Sequence, residues 1–237
     1  MCQIYAYMDV KQDIKVSVDA VVFGYEVKNN LSVLLIKRGI EPFKNQWALP
    51  GGLVLNDETL EEAVLRELKE ETGITIDYLE QLYTFGTPKR DPRNRVLSVS
   101  YFGLVKPNHF DIKAATDAAD VQWFNLDELP KLAFDHQAIL DTAHQRLKSK
   151  LSYQPIGFDL LNDEFPFSDL ENLYMTILEK EIDRRNFRKK MLSFGIIQET
   201  NKIEKVGSGR PAKLFKFNKK KFEQLSSGDF HFEIKFV

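Results

Sequence analysis

Residues 52–74, GLVLNDETLEEAVLRELKEETGI, constrain the fold more than any other stretch, because one short segment supplies a loop, a helix and a stop. Leu60, Ala63, Val64 and Leu68 recur at helical spacing and predict a helix over 60–72 with an apolar side turned to a core. Gly73 supplies the C-terminal break. On that helix Glu67, Glu70 and Glu71 stand at i, i+3 and i+4 and share one side. Three carboxylates so placed repel one another unless protons, basic partners or cations compensate them, which points to a metal site. Oxygen donors beside phosphate chemistry favour Mg²⁺ or Mn²⁺ over zinc. The plainer alternative is a solvated helix face. Just upstream, Pro50-Gly51-Gly52 lets backbone groups approach a phosphate or metal where a side chain would block access. Arg66 reads as an organiser of the carboxylates around it, and Glu58 as a stabiliser of the entering loop or a surface charge.

Around this segment, residues 16–25, 31–37, 79–87, 96–105 and 121–124 read as strands and 137–150 as a closing helix. A strand-rich order with a helix in its middle and another at its end predicts an α/β sandwich, a mixed sheet between helices. Pro155, Gly157, Asn162, Asp163 and Pro166 mark 152–166 as a linker, dividing the chain into 1–151, 152–166 and 167–237. Beyond it, Ser168 is a candidate cap for a helix presenting Leu170, Leu173, Tyr174, Ile177 and Leu178. A second helix is expected over 183–193, stopped by Gly195, with Phe187, Met191 and Leu192 turned inward. Short strands at 196–199 and 214–217 flank a turn with Gly207 and Gly209, completing a winged helix-turn-helix pattern.

Charge divides the same way. Residues 180–221 hold fourteen Lys or Arg against four Asp or Glu, so a net −2 chain carries +10 here and −12 elsewhere. An acidic domain followed by one that faces a polyanion is the expectation. Arg184, Arg185, Asn186, Arg188 and Lys189 are candidate DNA contacts on the helix, with Arg210 and Lys213 at the wing. The alternative is a winged helix used only for packing between subunits. Cys2 is the only cysteine, which excludes an intrachain disulfide and suits a reducing compartment. Asp9 and Asp13 do not make a signal pattern, and no apolar run is long enough for a bilayer, so a cytoplasmic protein without a membrane partner is expected.

Gly52, Glu58, Arg66, Glu67, Leu68, Glu70, Glu71, Gly73 and Ile74 together resemble the signature of the Nudix hydrolases at every fixed position. That resemblance implies Glu67, Glu70 and Glu71 as ligands of Mg²⁺ or Mn²⁺, with Arg66 beside them, in cleavage of a nucleoside diphosphate linked to another moiety. The segment FGTPKRDPRNRVLSVSY after the signature is similar to ADP-ribose-processing Nudix domains and to the NrtR-type transcriptional regulators, which sense ADP-ribose. IDRRNFRKKML and GRPAKLFKF resemble the same regulators. Candidate ligand contacts are then Arg38, Phe43, Trp47, Gly51, Gly52, Arg90, Asp91, Arg93 and Arg95. The arginines are suited to phosphate, and Asp91 to a ribose hydroxyl or to orienting an arginine. Phe43, Trp47 and Phe85 are candidates to stack on adenine or to lie in the core. His136 reads as a packed, hydrogen-bonded histidine. The resemblance implies a homodimer on operator DNA that binds ADP-ribose. The intact signature, where such regulators often carry a degenerate one, implies retained hydrolysis to AMP and ribose 5-phosphate. An ADP-ribose pyrophosphatase without a regulatory role and a sugar-responsive regulator are the alternatives.

Overall fold

The computed structural model describes residues 12–26, 31–76, 79–114, 118–205, 211–226 and 232–234. Its first strand, β1 (Ile14–Gly24), shows why the chain makes two layers. Val18, Ala20 and Val22 enter one core, while Val21 and Phe23 enter another on the opposite side. A strand's two-residue period produces this split, and burial of both faces explains the nearly continuous apolar run. The chain continues through β2 (Ser32–Arg38), β3 (Trp47–Ala48), β4 (Gly51–Leu53), α1 (Leu60–Thr72), β5 (Glu80–Phe85), β6 (Arg95–Val105), β7 (Ala118–Asn125) and α2 (His136–Tyr153). The strands form one mixed sheet ordered β3-β2-β1-β6-β5, with β4 on β1 and β7 on β2. β1 runs parallel to β6 and antiparallel to β2 and β4.

α1 covers one face through Ala63, Val64 and Leu68; α2 covers the other through Ile139, Leu140, Ala143 and Leu147. The α/β sandwich expected from sequence is therefore observed. α1 starts at a capping box between Thr59 and Glu62 and stops at Gly73, whose φ of 75° is left-handed.

The second unit comprises β8 (Phe165–Pro166), α3 (Phe167–Leu178), α4 (Arg184–Ser193), β9 (Ile197–Glu204), β10 (Ala212–Phe217) and α5 (Lys219–Ser226). Its sheet, β8-β10-β9, backs α3 and α4 in a winged-helix arrangement. Asp183 caps α4 by accepting from the Asn186 amide. Pro166, not Ser168, precedes α3: the chain pairs as β8 until Pro166 and turns directly into helix, leaving Ser168 inside the first turn. Leu192 is 37% exposed, so only Phe187 and Met191 of the three expected core residues point inward.

α2 runs past residue 151 to Tyr153, and Phe158, Leu160, Leu161 and Phe165 are buried. The stretch read as a linker is thus packed, and one apolar cluster runs from Val21 and Phe23 through Phe158 to Leu170, Phe187 and Phe215. Arg210, Gly207, Gly209, Cys2, Asp9 and the 27–30 connection fall outside the described residues. Among the described residues, no helix is long and apolar enough to cross a membrane.

Candidate functional site

The site begins where β4 meets α1. Gly51 donates its amide to Glu71 Oε2 at 2.8 Å. A Cβ on Gly52 would lie 2.3 Å from Glu67 Oε1, and one on Gly51 only 2.1 Å from the Val18 carbonyl oxygen. Both glycines are therefore required sterically: at Gly52 bare backbone leaves room for the Glu67 carboxylate, and at Gly51 it leaves room for the β1 backbone. Arg66 clamps the cluster from outside. Its Nε and Nη2 donate to Glu58 at 2.8 and 2.6 Å, and its Nη1 donates to Glu67 and Glu70 at 2.8 and 3.1 Å. Glu58 also accepts from the Leu55 amide at 2.7 Å, so it holds the entering loop.

Charge is under-compensated here. Burial, with the neighbouring Glu67 and Asp19 charges behind it, pushes the Glu71 carboxyl up to about 8 against the pull of the Gly51 amide. Burial also raises Glu67. The Arg66 hydrogen bond holds Glu58 down at about 2. The Arg66 guanidinium thus faces Glu58, Glu67 and Glu70, while Glu67 and the more deeply buried Glu71 resist ionisation. Hard oxygen donors on one helix face, short of positive charge, suit a divalent cation of the Mg²⁺ or Mn²⁺ type. Among the described residues no three acidic, His or Cys side chains are already gathered as a metal-binding group. Arg66 holds one oxygen of each, Glu67 Oε1 and Glu70 Oε2.

A cavity of about 520 Å³ opens beside these glutamates, within the range of small-molecule sites. Of the residues expected from sequence, Arg38, Gly51, Gly52, Glu67, Glu70, Glu71, Asp91 and Arg93 line it. Asp91, buried, accepts from the Arg93 amide and guanidinium at 2.8 to 3.1 Å and so aims that arginine. Arg38 donates to the Pro42 carbonyl and lies over the Phe134 ring.

Four expected ligand contacts are placed elsewhere. Arg90 is not a cation at the pocket mouth: its side chain is 5% exposed and bridges Asp135 and Asp19. Arg95 reaches back to the Gly86 carbonyl instead of the cavity. Phe43 packs edge-on against Phe134, and Trp47 against Phe124. Neither is among the residues that line the cavity.

Sequence reasoning missed the polar floor of the cavity. Asp19, buried on β1, accepts from Arg90 and makes a short hydrogen bond with Ser98. His136 accepts the Leu49 amide at Nδ1 and turns Nε2 to within 3.6 Å of Asp19, a hydrogen-bonded histidine as expected. The available signal was Asp19 itself, an acid interrupting the apolar run VSVDAVVFG.

In the second unit, Arg184, Arg185 and Lys189 project from α4 into solvent. Asn186 is engaged at the helix start, where Nδ2 donates to Asp183 at 2.7 Å. Arg188 lies 4.7 Å over Phe167 and 5.1 Å over Phe215, which fixes its direction. Lys213 pairs with Glu199 on the neighbouring strand.

Comparison with known families agrees with both halves. Residues 13–143 match the NUDIX domain and residues 157–217 match the NrtR DNA-binding winged helix domain. The chain belongs to the NrtR family of Nudix-domain regulators. It is 34% identical to an ADPR responsive transcriptional repressor of Acinetobacter baylyi, over 91% of this chain and 84% of the relative. The crystal structure of Shewanella oneidensis NrtR complexed with a 27mer DNA superposes with a TM-score of 0.73 at 30% identity, covering 93% of this chain and 99% of that one. Within this NrtR-family chain, the Nudix half is also 45% identical to an ADP-ribose pyrophosphatase of Methanocaldococcus jannaschii, over 50% of this chain and 69% of the relative.

Proposed function

We propose that this chain is an ADP-ribose-responsive, operator-binding transcription factor that acts as a homodimer and retains Mg²⁺-dependent hydrolysis of ADP-ribose. The observation that carries the reading is the acidic helix beside a glycine-floored cavity, in a chain whose β1 and α2 share one apolar cluster with a basic helix of winged-helix type. Arg93, aimed by Asp91, and Arg38 are placed to hold the diphosphate. Gly51 and Gly52 keep side chains out of its way. Glu67, Glu70 and Glu71 would hold Mg²⁺ or Mn²⁺, which supplies charge neutralisation for the diphosphate and lowers the pKa of water. Arg66 keeps Glu67 and Glu70 from splaying apart before the cation arrives. Water then attacks one phosphorus, the bridging P–O bond breaks, and AMP and ribose 5-phosphate leave. On α4, Arg184, Arg185 and Lys189 are free to meet phosphates or base edges, and Arg188 presents the outer edge of a stacked guanidinium. Arg210 and Lys213 are assigned to the wing.

Titration with ADP-ribose and Mg²⁺, following AMP release and binding to DNA from upstream of the chain's own gene, tests the whole reading. Both responses are expected. Product without any DNA response favours the second reading, a plain pyrophosphatase, for which the intact acidic helix and the likeness to the Methanocaldococcus enzyme speak. A DNA response without product leaves a sensor in which the acidic helix only binds.

A further inference from the structure

β1 and α2 both reach from the cavity to the winged-helix unit, and they differ in freedom to move. β1 carries Asp19 at the cavity, and the residue after it, Tyr25, is buried in the cluster shared with α3. Its backbone is hydrogen-bonded to β2, β4 and β6, so it cannot slide without breaking the sheet. α2 is held by side-chain packing on β1, β5 and α3 and by a few polar ties, the kind of contact that permits small shear.

The near end of α2 is tied to the cavity floor. Its N-cap, Asp135, takes two hydrogen bonds from Arg90, at 2.9 and 2.6 Å, and the same guanidinium reaches Asp19 at 3.3 Å. Asp135 also closes the first turn, its carbonyl accepting from the Ala138 and Ile139 amides. Its successor His136 lines the cavity and accepts from Leu49, two residues before Gly51. The far end is tied to the winged-helix unit. Lys148 pairs with Glu179, the C-cap of α3, and His144 Nε2 lies 3.5 Å from the same carboxylate. Leu147 and Leu151 share the cluster of Leu170 and Leu173, and the Ser152 carbonyl accepts from the Ile234 amide at 2.9 Å.

We propose that α2 is the transmitting element of the regulator: the Asp19–Arg90–Asp135 bridge registers an anionic ligand in the cavity, and α2 passes the shift to α3 and thereby to α4. This rests on the reading that ADP-ribose enters the cavity and DNA meets α4. A diphosphate arriving beside Asp19 adds negative charge on the cavity side of the bridge and changes how the Arg90 guanidinium divides itself between Asp19 and Asp135. An 18-residue helix spans about 27 Å, so a rigid displacement at one end arrives undiminished at the other. Arg90 and Asp135 are positioning residues here, neither needing to touch the ligand.

The test uses the full chain with Asp135→Asn, which keeps the shape and removes the charge. ADP-ribose affinity by calorimetry and ligand-free DNA affinity should each stay within about threefold of the unaltered chain, while the factor by which ADP-ribose changes DNA affinity falls to within about twofold of unity. Because coupling is reciprocal, DNA should lose its effect on ADP-ribose affinity by the same factor. A merely structural role for Asp135 would lower stability without touching that factor. A variant that retains the full factor overturns the proposal. Should Asp135→Asn not fold, hydrogen exchange on the unaltered chain decides. ADP-ribose must change exchange at both 136–139 and 147–153, and a change confined to the cavity loops overturns the proposal. If the unaltered chain binds DNA without regard to ADP-ribose, the functional reading falls and this one with it. If it responds and the variant responds equally, only this one falls.

Discussion

At Gly52 a single methyl group would occupy the space of the Glu67 carboxylate, which lies 2.3 Å from the position a Cβ would take. Gly52→Ala must therefore push Glu67 away from the loop and out of line with Glu71. Cation affinity measured by Mn²⁺ titration should drop about 10–100-fold, as when other supports of a metal ligand are lost. Thermal unfolding should move little, because Glu67 gives up only an Arg66 contact. Unchanged Mn²⁺ affinity would remove Glu67 from the ligand set. The floor histidine makes a different prediction. Burial holds the His136 pKa below its ordinary 6.5. Below about pH 6.5 the unfolded chain therefore binds a proton that the folded chain refuses, and stability contributed by neutral His136 is lost as pH falls. Glu71, raised to about 8, has the opposite sign: its proton favours the folded state at low pH, and that contribution fades as pH climbs from 4.5 towards 8. The two overlap, so a stability profile of the unaltered chain alone does not separate them. His136→Gln keeps an acceptor for the Leu49 amide and removes the titration. The difference between the two denaturation series should grow in the variant's favour from pH 7 to pH 5, and a flat difference would mean that His136 titrates normally. At this scale the sequence displays residue types well and directions poorly. Glu67, Glu70 and Glu71 were legible because a helix fixes neighbours three and four apart. Arg90 was not, because its partners Asp19 and Asp135 lie 71 and 45 residues away and meet it only through the tertiary fold.

Among the elements, α1 was read at its observed bounds because its determinants are local, apolar spacing and Gly73 after it; the Thr59 cap, equally local, went unread. The two- and three-residue strands β3, β4 and β8 went unread because so few residues carry no period; they exist only through pairing with distant strands. α4 shows how a legible helix hides a division of labour. Its buried side holds Phe187 and Met191, while Arg188 covers the rings of Phe167 and Phe215. Arg188→Ala should cost about 0.5–1 kcal/mol of stability by loss of the ring contacts, besides any effect on DNA. Lys189→Ala should leave the unfolding midpoint in place, weaken binding about equally across DNA sequences, and reduce the slope of log K against log salt by about 1. Titrations at several salt concentrations check this, and an unaltered slope would move the phosphate contact off Lys189.

For the whole molecule, the charge asymmetry along the chain pointed to two units with different work, and the family match bears that out in kind. It did not show how closely the units are joined, since the apolar side chains of 158–165 looked like part of a Pro- and Gly-punctuated spacer until the fold buried them. A joined pair of units makes the proposed homodimer a rigid caliper rather than two tethered feet. Two α4 helices related by a two-fold axis fit half-sites about one turn of duplex, roughly 34–36 Å, apart or a multiple of it. Inserting about 5 base pairs between the half-sites rotates one of them to the far side of the duplex. A rigid dimer then keeps one half-site only and should lose most of its specific affinity in a mobility-shift titration. An insertion of about 10 base pairs restores the facing side but lengthens the span by about one turn, so a rigid dimer should recover little of the loss. Equal recovery at both full-turn spacings would mean units joined flexibly, against the shared core. Indifference to the half-turn insertion would mean that the chain reads its operator as a monomer.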